Sequence, residues 1–431
     1  MRLTRDEQAM LNGKEGRARQ KAMELLVEYG DALGAEQFVD TNNVHLLIGF
    51  HFYPDILLQK LEVADIDAFV SKSVLNSDER VVVDKVKAFT TMHITSMDLD
   101  HWDLQQATRL GDPDNFRDLV VGIEDYCRRI GVAMTSTCCP YAVGNVPTLG
   151  EHCAWCESSA IAYANSVLGA RTNIDGDHST FASALTGKTL YWGYHLDKNR
   201  LGTFMVNVEA QPKNILDWDL MGYYSGFRAG NLVPVFSNIK TGTDMYKLMV
   251  LAASITVTGA VNLFHIVGIT PEAHTFEQAT GGLTPKATMN YGEAERREAY
   301  GGVNTARSED VEYVVMGCPH YNPERLSAVA RLLEGKKVNQ NVRLLIFTST
   351  QHKTLADRSG WLDVIKQAGG HLLTDSCPLH AKIEPKSVVA MDSAKMSHQS
   401  AGDQGWESIW VGTTEECIDA AVTGKWRGEL K

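Results

Sequence analysis

The chain has no long unbroken apolar run. Its most apolar stretch, Tyr246 to Val267, is interrupted by Lys247, Thr256, Thr258, Asn262 and His265, and reads as a buried helix followed by a strand rather than a membrane span. No apolar segment follows the charged start Met1-Arg2-Leu3-Thr4-Arg5-Asp6-Glu7, so no secretory signal is expected. Basic residues are in deficit: 41 Lys and Arg against 53 Asp and Glu leave a formal charge of -12, which argues against nucleic acid as the main partner. Cysteine is sparse, eight in 431 residues, which is no disulfide scaffold in a chain without an export signal. The expectation is a cytoplasmic protein with reduced thiols and no membrane partner. Internal repeats and low-complexity tracts are missing too, and no second CxxC follows Cys153-Ala154-Trp155-Cys156.

What is present is the composition of a globular protein, 44% apolar and 22% charged, in a chain long enough for two or three domains. Thr4-Arg5-Asp6-Glu7 is a capping box opening a helix that runs to Tyr29 and stops at Gly30. Gln37-Phe38-Val39 reads as extended, and 43–53 as an apolar segment carrying His45 and His51. The spacing predicts a helix over 116–130, stopped by Gly131, then a short strand over 132–135. A small-residue helix is expected over 154–168, a loop-rich layer over 172–240, and a linker over 275–310, where Gly281-Gly282 and Gly301-Gly302 occur. The segment 85–115 gives no assignable period.

The last third is cleaner. Strands at 311–315, 342–347, 371–373, 387–391 and 408–411 alternate with helices opened by Asn322-Pro323, lying at 355–367, and capped by Thr413 or Thr414. That alternation implies an α/β fold with a largely parallel sheet. The expected division is 1–135, an N-terminal α/β domain; 136–300, a central domain carrying the site; and 301–431, a C-terminal α/β domain.

Three cysteines follow strand-like runs at short turns: Cys138 in Ser136-Thr137-Cys138-Cys139-Pro140, Cys318 in Gly317-Cys318-Pro319-His320, and Cys377 in Asp375-Ser376-Cys377-Pro378. Ligands in open α/β sheets gather outside the carboxyl ends of strands, so three distant thiols can converge there on one cofactor. Soft thiolates suit an iron–sulfur cluster, and a cubane on three cysteines keeps one iron open as a Lewis acid. Cys139 is adjacent to Cys138, and in an extended segment only one of the two faces the site. Cys153 and Cys156 offer a zinc or redox half-site; placed at a helix start, both sulfurs share one face and read as packing. Lys395 opens a helix after a strand, where it serves as a solvated lysine or as a cation for a substrate carboxylate. Glu157 and Arg171 form an internal pair or touch substrate; Asn145 sits in a turn; His45 and Asn76, taken singly, read as structural.

Gly150-Glu151-His152, Trp155-Cys156-Glu157-Ser158-Ser159-Ala160 and Tyr163-Ala164-Asn165-Ser166-Val167-Leu168-Gly169-Ala170-Arg171-Thr172-Asn173 resemble the large-subunit signature of the aconitase X family, as does the opening from Leu3 to Gly13. The three cysteine segments match that family's cluster-binding positions, and Ser393-Ala394-Lys395 with His398 matches its lysine motif. The resemblance implies an aconitase-like arrangement of several α/β domains with mainly parallel sheets around a central cluster site. It also implies a hydro-lyase that dehydrates cis-3-hydroxy-L-proline to a pyrroline carboxylate, or mevalonate 5-phosphate to its anhydro product. It implies a 4Fe-4S cluster on Cys138, Cys318 and Cys377, catalytic roles for Lys395 and Ser393, and substrate contacts from His45, Asn76, Asn145, Glu157, Arg171 and Lys395. The catalytic base in such enzymes is a serine on a small swivelling domain; here it is expected on a separate small subunit. The chain departs from the family pattern around Asn43 to Tyr53, at Gln399 after His398, and at Cys139. Cys153 and Cys156 fall where relatives usually lack cysteine.

Overall fold

The computed structural model describes residues 1–48, 65–95, 97–105, 113–403 and 405–431. His51 and the Phe50–Tyr53 run lie outside the described residues. Strand β1 (Phe38–Asp40) pairs antiparallel with β5 (Lys188–Leu190), beside a parallel sheet of β2 (Asn43–Leu46) between β3 (Phe89–Met92) and β4 (Ala154–Trp155). A second parallel sheet has the order β8-β7-β6-β9, built from β6 (Phe204–Val208), β7 (Pro234–Ser237), β8 (His265–Ile266) and β9 (Ala287–Tyr291). The third comprises β10 (Tyr313–Tyr321), β11 (Arg343–Thr348), β12 (Gly370–Leu373), β13 (Val388–Met391) and β14 (Ser408–Val411), all parallel in the order β12-β11-β10-β13-β14. The chain order reverses between β10 and β13, which opens a crevice at their carboxyl ends. The α/β class with mainly parallel sheets is as expected.

The buried apolar runs Val314-Val315-Met316, Leu344-Leu345-Ile346-Phe347 and Val388-Val389-Ala390-Met391 form this third sheet because helices cover both its faces. Capping fixes where helices begin. Thr4 and Glu7 close the expected capping box, Asn322 caps the Pro323–Leu333 helix, and Thr413 caps Thr414–Thr423 through Glu416.

Several expectations are corrected. The segment 172–240 is not loop-rich: it holds the Asp177–Thr186 and Ile215–Ala229 helices as well as β5, β6 and β7. Two of its glycines serve helix packing. A Cβ on Gly222 would meet the Leu251 carbonyl oxygen at 2.8 Å and one on Gly226 the Ile255 carbonyl oxygen at 2.6 Å, so these glycines let the Ile215–Ala229 and Met245–Thr258 helices touch backbone to backbone. The 275–310 segment is no linker either; β9 and the Glu293–Val303 helix complete the second layer there. The helix expected over 154–168 is the β4 strand, a short Ser158–Tyr163 helix and a π turn at Ala164–Leu168. The strand over 132–135 shrinks to one bridge between Ala133 and Thr91. The 355–367 helix is two, Thr350–Arg358 and Trp361–Ala368, broken at Gly360.

Candidate active site

The three cysteine turns are each entered through a left-handed residue: Ser136 (φ 43°) before Cys138, Gly317 (φ 104°) before Cys318 and Asp375 (φ 58°) before Cys377. For Ser136 and Asp375 that conformation costs on the order of 1–2 kcal/mol each, and neighbouring groups hold it. Thr95 Oγ1 donates to the Asp375 carbonyl at 3.4 Å, and the Ser136 side chain lies near the Asp375 carboxylate. At Gly317 a Cβ would run into the Phe347 backbone, whose nitrogen lies 2.9 Å away, so only glycine lets β10 pass β11 here.

Cys138, Cys318 and Cys377, like Cys156, keep part of their surface accessible, whereas Cys127, Cys139, Cys153 and Cys417 are fully buried. Burial pushes the Cys318 thiol up to about 12 and moves Cys377 in the same direction. The hydrogen bond with Cys139, 3.5 Å away, followed by burial, holds Cys138 well above its ordinary value. The three lie within electrostatic reach of one another: Cys138 acts on Cys318, and Cys318 and Cys138 act on Cys377.

On the wall beside them, Lys395 Nζ sits 3.1 Å from Glu157 Oε1 and 3.4 Å from Ser158 Oγ. Glu157 also receives His93 Nε2 at 3.1 Å and the Ser159 hydroxyl at 2.7 Å. Burial alone would raise its pKa, but Lys395, His93 and Ser159 outweigh burial and hold the carboxylate well below its usual range. The converse holds for Lys395, where burial works downward and Glu157, then the Cys318 and Cys138 charges, carry the pKa upward. Removing either partner would strand a buried charge, at about 3–5 kcal/mol. Ser393 Oγ takes the Met396 N–H at 3.2 Å, opening the Ala394–Asp403 helix, and lies against the Cys318 thiol. Asp219, on the Ile215–Ala229 helix, accepts the Ala394 N–H at 2.6 Å and the Ser254 hydroxyl, and so fixes the helix that carries Lys395.

Asn145 and His45 converge on Thr91 Oγ1, at 2.8 and 3.0 Å. His45 stands beside the Thr137 backbone and edge-on to His93, with ring centroids 5.6 Å apart. Among the described residues, the buried atoms His45 Nε2, His93 Nδ1 and Asn145 Oδ1 have no aligned partner, a cost unless a ligand or water completes them. Arg171 and Asn76 are not part of this group. The Arg171 guanidinium is taken by Asp197 and by the His195 carbonyl at 2.9 Å. It makes no hydrogen bond to Glu157 or to the cysteine turns among the described residues. Asn76 is exposed, left-handed (φ 48°), just past the Ile66–Ser73 helix.

Sequence reasoning passed over His93, which lies where no period was assignable and is brought to Glu157 by the β2–β3 register. It also gave no role to His320. There, Nε2–H donates to the Ser376 carbonyl at 2.7 Å, and Nδ1 accepts the Thr137 hydroxyl at 2.9 Å. Burial pushes this imidazole down to about 4, so it is neutral, as that bonding requires.

Among the described residues, no three His, Cys, Asp or Glu side chains close tightly enough to hold a single metal ion. Three soft thiols within electrostatic reach of one another, with the Lys395 cation beside them, fit a polynuclear iron–sulfur group better than a lone ion. The expected helical face for Cys153 and Cys156 is overturned. They flank strand β4, where side chains alternate, and Cys153 turns to the Glu151 carbonyl at 3.7 Å.

Three family models cover most of the chain: aconitase X first domain over residues 1–198, second domain over 202–301 and third domain over 311–423. The phosphomevalonate dehydratase large subunit of Methanothermobacter thermautotrophicus is 34% identical over 413 residues, covering 95% of this chain and 96% of that protein. The protein of the same name from Methanocaldococcus jannaschii is 32% identical, covering 92% and 94%. The cis-3-hydroxy-L-proline dehydratase of Pseudomonas aeruginosa is 28% identical over 98% of this chain and 70% of its own length. Among solved structures, the holo-form of Thermococcus kodakaraensis aconitase X matches with a TM-score of 0.80 at 30% identity, covering 98% of this chain and all of that one. Sequence, fold and the meeting of the three cysteine turns agree: the chain belongs to the aconitase X family.

Proposed function

We propose that this chain is the large subunit of a hydro-lyase that removes water from a small hydroxy carboxylate, with an iron–sulfur cluster held by Cys138, Cys318 and Cys377. The observation that carries the reading is the meeting of three partly accessible, mutually interacting thiols with the Glu157–Lys395 pair. A 4Fe-4S cluster with one open iron, when bound, supplies Lewis acidity for the departing hydroxyl. The chain's own residues do the rest. Lys395 meets the substrate carboxylate, held in direction by Glu157, and Ser393 steadies both the Cys318 thiolate and the helix that carries Lys395. His45, His93 and Asn145 present unfilled hydrogen-bonding atoms to the substrate's polar groups. The proton from the carbon next to the carboxylate goes to a serine brought by a small swivelling subunit; the relatives' names as large subunits support such a partner.

Charge favours cis-3-hydroxy-L-proline, dehydrated to 1-pyrroline-2-carboxylate, as substrate: a zwitterion finds a cation in Lys395 and an anion in Glu157. Mevalonate 5-phosphate is the second reading, favoured by the end-to-end match to phosphomevalonate dehydratase large subunits. Its phosphate asks for a further cation; among the described residues Arg171 is engaged by Asp197, and Lys72 is half-exposed with Asp78 3.9 Å away.

Anaerobic copurification with the small subunit, analysis of iron and acid-labile sulfide, and assay of both hydroxy acids test the proposal. The expected result is bound iron and sulfide, elimination of water from one of the two compounds, and kcat/KM lower by about 100- to 1,000-fold in Lys395→Met. Absence of iron and sulfide, or inertness toward both compounds, would refute it.

A further inference from the structure

Cys138, Cys318 and Cys377 come from three separate segments of the chain. Among the described residues, one that belongs to the second segment is bonded to both of the others. His320 stands two residues after Cys318 at the end of β10 and is 2% exposed. Its Nδ1 accepts the hydroxyl of Thr137, the residue before Cys138 (2.9 Å), and its Nε2–H donates to the carbonyl of Ser376, the residue before Cys377 (2.7 Å).

The bonding has a single direction. The Cys139 N–H donates to Thr137 Oγ1 at 3.1 Å. The one hydroxyl proton of Thr137 is thereby left for His320 Nδ1, and the imidazole hands on its own proton to Ser376. A polar chain runs from the backbone after Cys138, through the residue after Pro319, to the backbone before Cys377. Neither imidazole nitrogen is available to a metal or substrate, so His320 does not act as a ligand or acid.

We infer that His320 is the positioning residue of the cofactor site, setting the spacing of the three cysteine sulfurs through Thr137 and Ser376. This rests on the reading of those cysteines as the holders of an iron–sulfur cluster. Groups that orient ligands from outside the coordination sphere typically cost 10- to 100-fold in metal affinity when removed, and a similar loss is expected here.

The test is reconstitution of the full-length chain with ferrous iron and sulfide under anaerobic conditions, then removal by a competing chelator. Iron and sulfide content are followed chemically, and the cluster by its absorption and by electron paramagnetic resonance after reduction. His320→Ala is expected to yield its iron at roughly 10- to 100-fold lower chelator concentration than the unaltered chain, with unchanged far-ultraviolet circular dichroism. Thr137→Val should behave alike, and Thr137→Ser, which keeps the hydroxyl, should restore retention. The Thr137 pair decides the matter should His320→Ala fail to fold. Retention equal to the unaltered chain in folded His320→Ala, or equal loss in Thr137→Val and Thr137→Ser, would overturn the inference. An unaltered chain that takes up no iron and sulfide at all would instead remove the cluster reading beneath it.

Discussion

Asp175 shows what a single buried group does to the pH response of the chain. Among the described residues its Oδ2 has no partner, and Oδ1 has the Ser179 hydroxyl at 3.3 Å. Burial pushes the carboxyl up to about 7, against about 3.9 in an unfolded chain. The folded state therefore binds the extra proton: the contribution to stability is complete below about pH 4 and is lost as pH rises through about 7. Asp175→Asn is expected to raise stability at pH 8 by about 1–3 kcal/mol and to change it far less at pH 5, measured by thermal melts at both. Equal effects at the two pH values would contradict this. At the same scale, the sequence makes Glu157, Arg171 and Lys395 visible as charges but not their partners. Glu157 meets Lys395 because Asp219 holds the Ala394–Asp403 helix, a contact between residues far apart in the chain, while the Arg171 guanidinium is taken by Asp197. His93 is illegible for the same reason.

Elements are readable where their pattern is local. Alternating apolar strands and capped helices announce the five-stranded sheet, and Cys377 after β12 falls where the pattern puts it. Cys318 lies inside a longer β10 than expected, and the element before Cys138 is scarcely a strand. Glycine misleads in the middle of the chain. Gly222 and Gly226 look like loop formers, yet they allow two helices to touch. Gly317 illustrates the other use, a left-handed residue pressed on the neighbouring strand. Gly317→Ala combines an unfavourable φ with a clash against Phe347 backbone, which cannot yield as a flexible side chain would. It is expected to cost at least about 2 kcal/mol of stability in denaturant titration and to weaken iron retention. A variant as stable as the original would show that β10 and β11 can separate freely.

For the whole molecule, the hydrogen bonds joining the cysteine segments are protein–protein bonds that run through Thr137, His320 and Ser376. One apolar cluster, running from Cys139 to Trp426, packs against Cys138, and a second, running from Leu216 to Val411, packs against Cys318. Chelation of iron is accordingly expected to abolish activity while leaving far-ultraviolet circular dichroism and a cooperative, somewhat lower melting transition; loss of secondary structure on chelation would refute this. The separation of the three thiols along the chain also bears on biogenesis. On the proposed ligand set, a nascent polypeptide that has emerged only as far as β11 presents two prongs of a three-pronged grip. Cofactor delivery therefore belongs after translation of the C-terminal sheet, and a carrier that donates clusters must recognise a finished, already folded acceptor.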